Sequence, residues 1–354
     1  MAKNDEFYTQ FSDIEKEMNA YLEFDDHVFA GKTVLLPCDD PEWSNFTKYF
    51  AQNFEKLKLK KLVSTSYAPD SRSINMLSQP SLFETASPQF DPSKTRTRGK
   101  IFTLERDLTG DDRINVQDLE WDYLDGDGDF RSDELRRLRD EVDVVITNPP
   151  FSLFREFLAW VVEGGKEFVV IANMNAITYK EVFPLIRDNK LWVGATNFNT
   201  GMYFLVPESF EYAPTYKFAR ELDGHKVSRV PGVCWFTNLD HGRRHQPLAL
   251  MTEEDNVKYS KHKEVRGVGY REYDNYGAIE VPFADAIPSD YPGVMGVPIS
   301  FLNKHNPDQF EIVGLAAGNI RGLAGIPSTT GKDGPYIDGK LKYGRILIRS
   351  RGVE

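Results

Sequence analysis

The chain has 354 residues, 40% of them hydrophobic and 27% charged. That is the make-up of a globular protein of about two domains with apolar material for a sizeable core. Two cysteines exclude a disulfide scaffold and a Cys-based zinc site. No apolar run approaches the length of a transmembrane helix, and the N-terminus is polar and acidic, so a cytoplasmic chain with no membrane partner is expected. The net charge of −11 argues against a protein that coats nucleic acid, but the charge is uneven. Residues 217–354 hold 19 Lys/Arg against 17 Asp/Glu, and the acidic excess lies before them. A polyanion partner is therefore expected in the C-terminal part or a local groove.

In chain order, Phe11, Ile14, Met18, Tyr21 and Leu22 recur at helical spacing within residues 7–30. Thr33-Val34-Leu35-Leu36, stopped by Pro37, reads as a buried strand. Asp40 is placed to cap a following helix, with Pro41 in its first turn. Leu59–Ser66 reads as a second strand. Residues 68–98 are rich in Ser, Pro and Thr without a period, which predicts a long insertion. Ile101–Leu104 is a candidate strand and Ser132–Asp140 a short charged helix. Val142–Thr147 reads as a buried strand, Phe151–Val162 as a helix and Phe168–Ala172 as a strand. Leu191–Val193 and Met202–Val206 are candidates for a strand pair. Strands alternating with helices over 31–206 predict an α/β fold with a doubly wound, mostly parallel sheet. From 207 to 354 helical periodicity weakens and short strands such as Gly232–Thr237 and Leu341–Ile348 appear, which predicts a second, β-rich or irregular region.

The feature that carries chemistry is Asn148-Pro149-Pro150-Phe151, directly after a β-branched strand. Ligands in α/β sheets sit at the carboxyl ends of strands. Two successive prolines hold the backbone rigid and extended. Such a turn can aim the Asn148 carboxamide oxygen and the Pro149 carbonyl at one point, which suits the two N–H donors of an exocyclic amine. Phe151 offers a stacking face for a planar base.

This motif resembles the catalytic motif of S-adenosylmethionine-dependent amino-methyltransferases. The longer string TNPPFSLFREF resembles the EcoRI-type adenine-N6 DNA methyltransferases, as do CDDPEWSNF (38–46), DGDFRS (127–132), WFTNLDH (235–241) and VPISFLNKHNPDQFEIVG (297–314). The resemblance spans most of the chain. It implies a Rossmann-like methyltransferase sheet over 1–206, S-adenosylmethionine as donor, adenine N6 in double-stranded DNA as acceptor, and a target-recognition region over 207–354. It implies that Asn148 and Pro149 hold the amine, that Pro150 keeps the turn rigid and that Phe151 stacks on a flipped adenine. It implies cofactor contacts from Phe7-Tyr8-Thr9, from the turn Pro37, Cys38, Asp39 and Asp40, and from Asp129 and Phe130, with Asp39 accepting from the methionine ammonium. The turn departs from the usual pattern, because it has no glycine to let the backbone approach the cofactor.

Motif order matches enzymes whose recognition region follows the catalytic motif. Arg243, Arg244, Lys261, Lys263 and Arg266, interleaved with Tyr259 and Tyr270, are the candidate DNA contacts. The histidines show no metal spacing and no metal is expected. A monomer is favoured, with a restriction endonuclease as a functional rather than physical partner. Two rivals stand beside this reading: an RNA or protein-glutamine methyltransferase with the same amine chemistry, and an inactive homologue that binds cofactor and DNA.

Overall fold

The computed structural model describes residues 8–39, 44–68, 85, 87–206, 208, 210–318 and 322–352. Most of the expected insertion, together with Phe7, Asp40 and Pro41, lies outside these residues. The chain divides into two compact units, Met1–Asn173 with Thr196–Leu239, and Met174–Ala195 with Asp240–Glu354.

The first unit's strands include β1 (Tyr8–Thr9), β2 (Thr33–Leu36), β3 (Lys61–Ser66), β4 (Lys100–Leu104), β5 (Glu120–Tyr123), β6 (Val144–Thr147) and β7 (Glu167–Asn173). In its main sheet they run β5-β4-β3-β2-β6-β7, followed by Val233–Thr237. The four central strands β3, β2, β6 and β7 are mutually parallel; β4 and Val233–Thr237 run opposite to them, and β5, antiparallel to β4, runs with them. The sheet is therefore mixed rather than mostly parallel. Every residue of β2 and β6 is buried, as expected of parallel strands covered on both faces. On one face, Val34, Leu36, Val144 and Ile146 join a core with Ile14, Met18 and Tyr21 of the helix Phe11–Phe24 and Phe46 and Phe50 of the helix Asn45–Gln52. The helix Phe154–Glu163 packs on β7.

Two local differences have plain causes. The helix Asn45–Gln52 begins later than expected, because Ser44 is its cap and accepts from the backbone N–H of Phe46 at 3.1 Å. Met202–Leu205 does not pair with Leu191–Val193. It joins β1 on one side and His225–Val230 on the other, in a second sheet of the first unit.

Residues 207–239 were expected with the C-terminal region, yet they belong to the first unit. Val233–Thr237 pairs along its whole length with β7, and all five of its residues are buried. The second unit carries a five-stranded sheet in the order Arg271–Glu272, Ala278–Glu280, Val294–Pro298, Arg345–Ser350, Phe310–Ala316. No described helix is long and apolar enough to cross a membrane.

Candidate active site

The site is built at the carboxyl ends of β2, β3 and β6. Asp143 sets the register of β6 against β2 from their amino ends. Its carboxylate accepts from the Thr33 N–H at 2.7 Å, and its own N–H donates to the Thr33 carbonyl at 3.0 Å. With Val34 opposite Val144 and Leu35 opposite Val145, Thr147 comes level with Pro37. The Thr147 hydroxyl lies 2.7 Å from both the Pro37 carbonyl and the Asp39 carboxylate. Asn148-Pro149-Pro150-Phe151 and the turn 37–39 are thereby neighbours. Pro150 is extended (φ −53, ψ 125), and its carbonyl accepts from the Leu153 N–H at 2.9 Å, which closes the turn. Pro149 is buried, whereas Asn148 and Phe151 are partly exposed.

The turn without glycine has a physical answer. Cys38 occupies the left-handed region, φ 68, where a glycine would ordinarily be used. The conformation costs about 1–2 kcal/mol for a residue with a side chain. The bonds around Asp39 offset it. The Asp39 N–H donates to the Thr65 carbonyl at 2.7 Å, and its carboxylate accepts from the Ser44 hydroxyl at 2.7 Å as well as from Thr147. The Ser64 hydroxyl donates to the Asp39 carbonyl. Asp39 thus has a turn-shaping role that the sequence did not suggest, since Ser44, Ser64 and Thr147 are scattered along the chain.

Asp129 reaches the same end of the sheet. The guanidinium of Arg131 grips its carboxylate, with Nε 2.9 Å from one oxygen and Nη2 2.6 Å from the other. The same guanidinium donates to Glu156, in the helix that follows the Asn-Pro-Pro-Phe turn, at 3.2 Å. Burial works to raise the Asp129 pKa, but the bonds and charge of Arg131 hold it below the usual carboxylate range. Gly128, at φ 87, packs so closely across the end of β3 that a Cβ would meet the Ser66 carbonyl at 2.4 Å, so glycine is required there. Tyr67 joins these pieces. Burial first, and then Cys38 and Asp129 beside it, push its hydroxyl pKa far above the ordinary tyrosine value. Neither Tyr67 nor Arg131 carried a sequence signal.

Phe130, expected beside the cofactor, has its ring fully buried against Phe157 at 5.2 Å and Trp160 at 5.8 Å. Tyr8 and Thr9 form β1, and the Thr9 carbonyl accepts from the Asn45 side chain at 2.8 Å, one residue beyond the Ser44 cap. That bond ties the N-terminal element to the helix leading from the turn.

Comparison with known proteins decides the family. The model of the adenine-specific methyltransferase EcoRI family matches residues 1–351. The chain belongs to the EcoRI adenine-specific methyltransferase family. It is a DNA methyltransferase that acts on adenine. Among its relatives, the type II methyltransferase M.EcoRI of Escherichia coli is 39% identical over 354 residues, covering 100% of this chain and 95% of the relative. The type II methyltransferase M.MpnI of Mycoplasma pneumoniae is 34% identical over 357 residues, covering 99% and 96%. No solved structure matches the chain.

Within this family member, the residues expected to contact DNA are not equivalent. Arg244 is buried. It stacks 3.6 Å over the Trp192 ring and donates to Asn189 at 2.6 Å and Asp240 at 3.1 Å, so its guanidinium is engaged within the protein. Arg243 donates to the Ala195 carbonyl at 2.7 Å. The Lys261 ammonium lies 2.6 Å from Asp285. Lys263 and Arg266 are exposed, on a segment bounded by the exposed Tyr259 and Val268.

Proposed function

We propose that the enzyme transfers the methyl group of S-adenosylmethionine to N6 of an adenine flipped out of duplex DNA, on a Rossmann-like methyltransferase sheet. The observation that carries this reading is the Thr147 hydroxyl, 2.7 Å from Pro37 and 2.7 Å from Asp39, which sets the amine-holding turn beside the cofactor turn. Atoms around the two turns fit the cofactor. The Thr9 and Thr65 hydroxyls are buried and have no hydrogen-bond partner among the described residues, and they flank the turn: the Thr9 carbonyl accepts from the Asn45 side chain and the Thr65 carbonyl from the Asp39 N–H. Thr9, Thr65, Cys38, Asp129 and Tyr67 would hold it, with Asp39 and Pro37 shaping the turn. When bound, the cofactor supplies an electrophilic methyl on a sulfonium.

Every other step belongs to the chain. The Asn148 side-chain oxygen and the Pro149 carbonyl each accept one N–H of the adenine amine. That leaves the nitrogen lone pair aimed outward. Phe151 stacks on the base and offsets part of the unstacking cost, a few kcal/mol. The proton is lost from N6 to water only after methyl transfer, so no strong base is needed before it, and rate comes from proximity and desolvation of the site. The second unit supplies target recognition, with Lys263 and Arg266 as phosphate contacts. Type II methyltransferases such as the relatives above suggest a restriction endonuclease as functional partner.

Phe151→Ala tests the flipped-base step. Stacking of a base on an aromatic ring contributes about 1–3 kcal/mol, so turnover should fall by about 10–100-fold while duplex affinity changes little. With 2-aminopurine at the target position, the mutant should give a weaker flipping signal than the wild type. An identical signal in both would contradict the stacking role.

A further inference from the structure

β6 reads Val144, Val145, Ile146 and then Thr147, a buried hydroxyl ending an aliphatic strand. At a position with no exposure, a hydroxyl is costly unless bonded. The backbone pairing between β2 and β6 runs through Leu35 opposite Val145. Beyond it, the Thr147 side chain continues the register, with the Pro37 carbonyl and the Asp39 carboxylate each 2.7 Å away. Asp39 is in turn fixed by the Ser44 hydroxyl at 2.7 Å and by its N–H to Thr65 at 2.7 Å. Bonds in such a dry setting are strong and directional.

From this arrangement we infer that Thr147 is a positioning residue, whose hydroxyl holds the methyl-donor turn and the amine-acceptor turn in reacting register. The inference rests on the reading of the Asn148 turn as the amine holder and of the 37–39 turn as the cofactor turn. Thr147 touches neither substrate. It acts through Pro37 and Asp39 on one side and through its peptide bond to Asn148 on the other. A valine in its place keeps the shape and the β-branch but removes the single O–H donor that the Pro37 carbonyl and the Asp39 carboxylate share.

The test uses the full-length chain with Thr147→Val, Thr147→Ser and Asn148→Ala, each measured on the folded fraction. Misplacement of reacting groups by about 1 Å costs about 10²-fold, and the valine variant should lose about that much in single-turnover methyl transfer. Its S-adenosylmethionine dissociation constant and its KM for DNA should stay within about threefold of wild type, which marks a loss confined to the chemical step. The 2-aminopurine flipping signal should persist, and serine should restore turnover to within about threefold. A purely structural role would lower the melting temperature of the valine variant and leave turnover per folded molecule unchanged. That result would overturn the inference. If Asn148→Ala is inactive while Thr147→Val turns over normally, the coupling alone fails. If both turn over normally, the reading of the site fails with it.

Discussion

Asn148→Ala is expected to lower methyl transfer by about 10³-fold, the upper end of what loss of one aimed hydrogen-bonding group costs. The side chain stands one residue beyond the buried Thr147, on a turn stiffened by the buried Pro149 and the extended Pro150. The turn itself is closed by the Leu153 N–H on the Pro150 carbonyl, a backbone bond that the substitution leaves in place. The alanine variant should therefore bind S-adenosylmethionine and DNA nearly as well as wild type. Rapid-quench single turnovers separate the two quantities. Turnover within a few-fold of wild type would remove Asn148 from the chemistry, and loss of cofactor binding would move it to the donor side.

Phe130→Ala has the second largest expected effect, and it concerns stability rather than catalysis. The ring is fully buried between Phe157 and Trp160, and deleting a core phenylalanine costs about 3–5 kcal/mol. The urea midpoint of the first unit should fall accordingly. The folded enzyme should retain most of its cofactor affinity, because the Arg131 guanidinium, which lies 5.6 Å over the Phe130 ring, still has its hydrogen bonds to Asp129 and Glu156 to hold it. A variant with wild-type stability and collapsed cofactor affinity would return Phe130 to the cofactor site.

How much of this was legible in the sequence depends on whether a signal is local. The strands Thr33–Leu36 and Val144–Thr147 are short β-branched or aliphatic runs bounded by proline, and they appear where the pattern puts them. The cap of Ser132 on the helix Asp133–Glu141 is equally local, with the Leu135 N–H 3.2 Å from its hydroxyl. The antiparallel pairing of β4 and the placement of Val233–Thr237 against β7 are long-range, and no local period encodes them. The attachment of residues 196–239 to the first unit is long-range for the same reason.

The site divides in the same way. The Asn148 turn is a contiguous motif and could be read directly. The residues that assemble the cleft around it, Ser44, Tyr67, Arg131 and Thr147, are common types whose role appears only when three strand ends converge. Cys38 replaced the missing glycine through a backbone angle, which composition does not reveal. An arginine in a basic stretch and an aromatic beside an acidic turn both suggest ligand contacts, but the sequence does not show that Arg244 and Phe130 are buried.

The central claim is tested most directly by transfer of a labelled methyl group from S-adenosylmethionine to unmethylated duplex DNA, followed by nucleoside analysis. The account predicts label in N6-methyladenine, confined to one short recognition sequence. Label in RNA, in protein or on another base would contradict it.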